Sequence, residues 1–290
     1  MSFKKKNKDV SLALSCAQLL KIDNVMKKIM SFILILLLFN LCLNAQNSNN
    51  DYPASSEEIT ITIGKDSIAA FGMFASGKEK KETVILLHGL PGNERSLDLA
   101  QELRRNGKNV IYFNYRGSWG SQGEFLYSNC IEDVKEVMDF FDKPENSTKY
   151  RIKSKSYILF GHSMGGGIAL LVGAKDSRIS KICAFSPNPV GNAPKELLDW
   201  VYNYTKTLFM LEINPNEFYN EIIENNALYD PLKYKNELSK KDILILDENN
   251  RNAEWINKIE NIEYVLMKTD HSFSDKRLEL IDKIKEWINN

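Results

Sequence analysis

The stretch YILFGHSMGGGIALLVGAK, residues 157–175, constrains the fold more than any other part of the chain. It begins as an apolar run closed by Gly161. It resumes after Ser163 as a second apolar segment, long enough for a helix and ended by Lys175. A strand and a helix joined only by G-H-S-M-G must turn so sharply that the central residue is strained. Gly161 and Gly165 relieve crowding on either side, because larger side chains would collide. The turn exposes the Ser163 hydroxyl at the carboxyl edge of a sheet. It also places that hydroxyl at the start of a helix, where free N–H groups favour developing negative charge.

The rest of the chain fits that junction. EITITI (58–63) and SIAAFGMFA (67–75) read as a hairpin or two antiparallel edge strands. TVILLHG (83–89), NVIYFNY (109–115) and KICAFSP (181–187) read as strands, the first with the unbroken apolar character of one buried on both faces. Helical spacing runs through 95–107, 130–143 and 164–175. The alternation lapses over about 188–240, where PKELLDWVYNYTKTLFML and NEFYNEIIENN are aromatic-rich and helical. This predicts an inserted helical cap, since a structureless loop of that length is improbable. Strands at 242–247 and 262–267 and a closing helix then resume the pattern. The fold class expected is α/β, a mostly parallel central sheet with helices on both faces.

The N-terminus reads as targeting. From Met26, two lysines precede an apolar run over 29–43, and Ala45 offers a small residue before Gln46. That is the layout of a secretory signal peptide, short for a membrane span. The expectation is export after cleavage near Ala45, with an uncleaved N-terminal anchor as the alternative. Residues 1–25 are an upstream-start artefact or an extended leader. A linker over 46–56 leads to a domain over 57–290. The segment to Ala45 holds seven lysines and two aspartates, so the balanced charge of the whole chain (38 basic, 38 acidic) becomes a net −5 without it. Neither value suits a nucleic-acid binder. The sequence carries no zinc-type Cys/His spacing and no phosphate loop, so no cofactor or metal is expected. Cys130 and Cys183 both lie in apolar patterns and read as buried thiols rather than a disulfide.

A serine hydroxyl needs a base to take its proton, and the chain has 3 histidines. His88 sits at a strand end, and His162 is locked in the turn beside Ser163. His271, in KTDHSFS between the last strand and the last helix, alone combines a loop position with freedom to approach Ser163.

With these residues in view, the chain resembles the α/β-hydrolase superfamily over about 57–290, and more narrowly bacterial esterase, lipase or serine aminopeptidase-like enzymes. The resemblance rests on HGLPGN (88–93), NYRGSWGSQGEF (114–125), GHSMGG (161–166) and DHSFS (270–274), in the family's order. It implies Ser163 as nucleophile, His271 as base, and an oxyanion hole from the backbone N–H groups of Leu90 and Met164. It also implies a triad acid just past the strand that follows the cap, in ILILDENNRN (243–252). There the usual position aligns with Asn250, a departure from the pattern. Asp247 is the first choice for the acid, with Glu248 and Asn250 left open. Asp270 is read as shaping its loop, and Arg116 as tying neighbouring loops. Trp200, Tyr202, Tyr204 and Phe209 line an acyl pocket or simply pack the cap. The expected activity is hydrolysis of a small-molecule ester. The alternatives are a short-peptide substrate, or a non-catalytic binding module on a hydrolase scaffold.

Overall fold

The computed structural model describes residues 26, 29–35, 51–191 and 193–290, in two compact units, 1–52 and 53–290. In the first unit Met26 and residues 29–35 are helical. The remainder of the expected signal segment, including the Ala45 cleavage position, lies outside the described residues. No helix among the described residues is long and apolar enough to cross a membrane.

The second unit is organised by eight strands. They are β1 (Ser55–Ile63), β2 (Asp66–Phe74), β3 (Lys81–Leu87), β4 (Asn109–Phe113), β5 (Ile152–His162), β6 (Ile179–Phe185), β7 (Asp242–Asp247) and β8 (Ile262–Leu266). Their order in the sheet is β1-β2-β4-β3-β5-β6-β7-β8. β2 runs antiparallel to both neighbours, and every other pairing is parallel. The alternation along β5 shows how the sheet is covered. Tyr157 and Leu159 enter one core with α2 (Tyr127–Asp142) and α4 (Met164–Lys175). Ile158 and Phe160 enter the other with α1 (Leu97–Arg105) and α9 (Arg277–Asn289). Burial on both faces explains why the central strands are unbroken Val/Ile/Leu runs rather than alternating ones.

Between α2 and β5 lies a short helix, α3 (Pro144–Lys149), at a proline that reads in sequence only as a stop. Proline also suits the first turn of a helix, where its missing N–H costs nothing. Between β6 and β7 the chain forms α5 (Lys195–Thr205), α6 (Pro215–Glu224), two 3-10 turns and α7 (Lys235–Leu238), followed after β7 by α8 (Ala253–Ile256). α5 stops at Thr205 instead of running on through Leu211. The Thr205 hydroxyl donates to the Tyr202 carbonyl at 2.7 Å and that of Thr207 to the Tyr204 carbonyl at 2.8 Å. Leu211 instead pairs with Ser118 as an isolated bridge. Cys130 and Cys183 are free and buried, in the two different cores, so the sheet itself separates the thiols.

Candidate active site

Ser163 joins β5 to α4 with φ 55° and ψ −121°, a conformation that costs a non-glycine residue about 1–3 kcal/mol. The end of β6 holds it there. The Ser163 N–H donates to the Phe185 carbonyl at 3.1 Å, and its own carbonyl accepts from Gly166 at 2.9 Å and Asn188 at 2.8 Å. The two glycines are needed for close approach. A methyl on Gly161 would lie 2.2 Å from the Gly165 carbonyl oxygen, and one on Gly165 would lie 2.2 Å from that of Leu87. The start of α4 is therefore pressed against the end of β3. The loop leaving β3 passes directly over the serine, since a methyl on Gly89 would lie 2.8 Å from Ser163 Cβ.

That loop carries Leu90, whose N–H makes no backbone hydrogen bond among the described residues. Met164 is the first residue of α4, so its N–H has no acceptor within the helix. Two uncommitted amides thus flank the serine from the elements anticipated in the sequence. Trp119 braces the loop, donating from Nε1 to the Pro91 carbonyl at 2.7 Å while its own N–H reaches the Met210 carbonyl at 3.1 Å. The sequence alone does not assign Trp119 this role; its one signal is a single large side chain in the glycine-rich run 117–123.

His88 stays out of this chemistry. Burial above all holds its pKa down to about 4, with Arg95 adding to the effect and the bond to the Gly89 carbonyl opposing it. Its Nδ1 is committed to that carbonyl at 2.7 Å, so it is a neutral structural ring.

His271 stands on the loop between β8 and α9, half-exposed. The His271 carbonyl accepts from His162 Nε2 at 2.9 Å, and the two rings lie 4.9 Å apart. The loop that carries His271 is thereby fastened to the residue preceding Ser163. Asp270 shapes the loop, as expected, accepting from the N–H groups of Ser272 and Ser274. The ring's Nδ1 is bound at 3.1 Å to Glu248 Oε1. Its hydrogen bonds do not include Ser163; such contacts commonly tighten only with substrate in place.

The acid beside His271 is therefore Glu248, and the first choice, Asp247, is not brought to the ring. Asp247 is the last residue of β7 and points into the body, fully buried. There its Oδ2 accepts from Asn252 at 2.9 Å and Tyr264 at 3.2 Å. Glu248, one residue on, emerges on the side facing the histidine loop. Its Oε2 accepts from the Ser186 hydroxyl at 2.5 Å, and its Oε1 also receives Arg251 at 2.6 Å. Asn250 contributes only a turn, its carbonyl accepting from the Ala253 N–H at 3.1 Å.

The electrostatics separate the two carboxyls. Burial, then contact with Glu248, pushes Asp247 up to about 7, against the pull of Asn252 and Arg251. Burial would raise Glu248 as well. The Ser186 hydroxyl, the neighbouring Asp247, its own backbone N–H and His271 outweigh that and hold it at about 2. Glu248 is thus the ionised member of the pair, able to orient the imidazole and balance its positive charge.

Arg116 ties loops, bonding Asp133 at 2.5 Å and the Asn129 carbonyl at 3.3 Å. The cap aromatics do not enclose a pocket together. Trp200 stacks on Tyr204 at 5.0 Å while 58 % exposed, and Phe209 is 93 % exposed. A cavity of about 570 Å³ lies beside the constellation, bounded among others by Asn188, Leu197, Arg251 and Trp255. Among the described residues no group of His, Cys, Asp and Glu could hold a metal ion.

Comparison with known proteins agrees with this architecture. The family described as serine aminopeptidase, S33, matches residues 78–241. An uncharacterised protein, YfhR, of Salmonella typhimurium is 31% identical over 124 residues, 41% of this chain and 40% of the relative. A serine hydrolase-like protein of Dictyostelium discoideum is 28% identical over 137 residues, 44% of this chain and 34% of the relative. The chain thus spans well under half the length of these curated relatives. Among solved structures, Est1E from Butyrivibrio proteoclasticus superposes with TM-score 0.59 at 14% identity, covering 80% of this chain and 97% of its own. The Pyrococcus furiosus esterase Pf2001 gives 0.60 at 19%, covering 81% and 91%. At such identities the likeness speaks to the fold, an α/β-hydrolase sheet of the expected kind.

Proposed function

The chain belongs to the serine aminopeptidase, S33, family of α/β hydrolases, and from that premise we propose that it hydrolyses carboxylic esters or related acyl bonds through an acyl-enzyme on Ser163. One observation carries the reading. A histidine paired with an ionised carboxylate at 3.1 Å sits on a loop bonded to the strained turn that presents the serine.

In this reading His271 takes the Ser163 proton as the hydroxyl attacks the substrate carbonyl. The negative charge that develops on the carbonyl oxygen meets the N–H groups of Leu90 and Met164. Preorganised donors of this kind contribute about 2.7–4 kcal/mol each. Glu248 fixes the imidazole's orientation and compensates its charge. His271 then protonates the leaving alcohol. A water molecule, deprotonated by the same ring, releases the acid and restores Ser163.

Ester hydrolysis leads because the esterases named above share the fold. Aminopeptidase action is the second reading, favoured by the family's own description. Parallel assays with p-nitrophenyl esters of increasing chain length and aminoacyl-nitroanilides separate the two. The chemistry common to both is tested with a fluorophosphonate probe. Stoichiometric labelling of the wild type, lost in Ser163→Ala, is the expected result. A folded wild type that takes no label overturns the reading in favour of a binding module.

A further inference from the structure

We propose that His162 is a positioning residue that sets where the His271 imidazole stands relative to Ser163. This rests on the reading of Ser163 and His271 given above. His162 immediately precedes Ser163, at the end of β5. Its Nε2 lies 2.9 Å from the His271 carbonyl oxygen. A carbonyl can only accept, so Nε2 carries the proton and His162 is the donor. Among the described residues this is the one hydrogen bond that joins the elbow (161–165) to the loop carrying the base.

The surroundings make the contact rigid. His162 is buried and its ring stacks on Phe185 at 5.1 Å. Phe185 is also the residue whose carbonyl pins the Ser163 N–H. On the other side of the contact, Phe273 is fully buried and packs edge-on to Phe185 at 6.1 Å. Phe185 therefore holds the nucleophile's backbone through its carbonyl, and bears on His162 and on the base's loop through its ring. Burial keeps the His162 ring neutral, with its pKa lowered to about 4, so it puts no fixed positive charge against the neighbouring imidazole. His162 touches no reacting atom. It acts by holding the base's backbone at one distance from the nucleophile's backbone, where a displacement of about 1 Å can cost about 10²-fold in rate.

The test compares His162→Phe with His162→Gln. Phenylalanine keeps the ring on Phe185 and removes the donor, whereas glutamine supplies an amide N–H of similar reach. On the ester that the wild type turns over, we expect His162→Phe to lower kcat by about 10–10²-fold. Its KM should stay within about twofold, and the acid limb of its kcat–pH profile should shift because His271 loses its register with Glu248. His162→Gln should recover most of kcat and the original pH limb. Wild-type kcat and pH profile in His162→Phe would overturn the proposal. So would a His162→Gln enzyme that is folded and as slow as His162→Phe. If His162→Phe does not fold, the His162→Gln pH profile alone decides: an unmoved limb with near-wild-type kcat supports the donor role, and a moved limb refutes it. Failure here leaves fluorophosphonate labelling of Ser163 intact, whereas failure of the hydrolase reading abolishes labelling of the wild type.

Discussion

At the scale of single residues, the pair Asp247–Glu248 shows how one step along the backbone decides chemistry. Asp247 ends β7 and faces inward to Asn252 and Tyr264; Glu248 has left the strand and meets His271. Side chains in a strand alternate between faces, so the identity of the acid depends on where β7 stops. ILILDENNRN does not announce that point. Ser163 and His271 were legible for the opposite reason, since a glycine-flanked turn and a choice among three histidines admit few solutions. Glu248→Gln should lower kcat by about 10⁴-fold, the scale of an acid-to-amide change in such a site. Asp247→Asn should cost less than about tenfold, because an amide can still fill the buried position. The Asp247 variant has a second signature. The native state keeps a proton on Asp247 up to about pH 7, while the unfolded chain releases it near the ordinary aspartate value of 3.8. The native state therefore binds more protons across that window, and this group's contribution to stability declines as pH rises through it. Urea midpoints at about pH 5 and about pH 8 should show a smaller decline in Asp247→Asn than in the wild type.

At the scale of elements, the contact between α4 and β3 sets the geometry of the candidate site. Gly165 lets the start of the helix press against the Leu87 carbonyl. Gly165→Ala must push the helix away from the strand end. Overpacking of this kind costs about 1–3 kcal/mol, and the movement also parts the amides of Met164 and Leu90. The expected outcome is a lowered urea midpoint, with slower fluorophosphonate inactivation of the protein that remains folded. The parallel sheet was legible because strands buried on both faces must be continuously apolar, as in TVILLHG. Two local features were not. The first half of β5, IKSKS, is polar because that end of the strand is largely exposed. α3 was hidden because Pro144 both ends one helix and opens the next.

At the scale of the whole molecule, Cys130 and Cys183 fall in separate cores divided by the sheet. They cannot pair without unfolding, so an oxidising compartment would leave the thiols as they are. Export of the chain is a separate proposal, resting on the lysines and apolar run of residues 26–45. Mass spectrometry of the secreted or periplasmic protein should find Gln46 at its N-terminus; an intact leader on soluble protein would refute cleavage. The cap was legible as an interruption of the alternating pattern, but its function was not. Aromatic residues at mixed spacing do not say which face they present, and Trp200 and Phe209 turn outward.

The bracing by Trp119 has a consequence for engineering. Its indole supports the Pro91 carbonyl while its backbone is tied to Met210, in the stretch leading out of α5. Anyone exchanging that insertion for one from another hydrolase, in order to change substrate choice, would also be loosening the strut beneath the amide at position 90. Such chimaeras should lose turnover before they gain selectivity, unless the graft keeps a carbonyl where residue 210 now offers one.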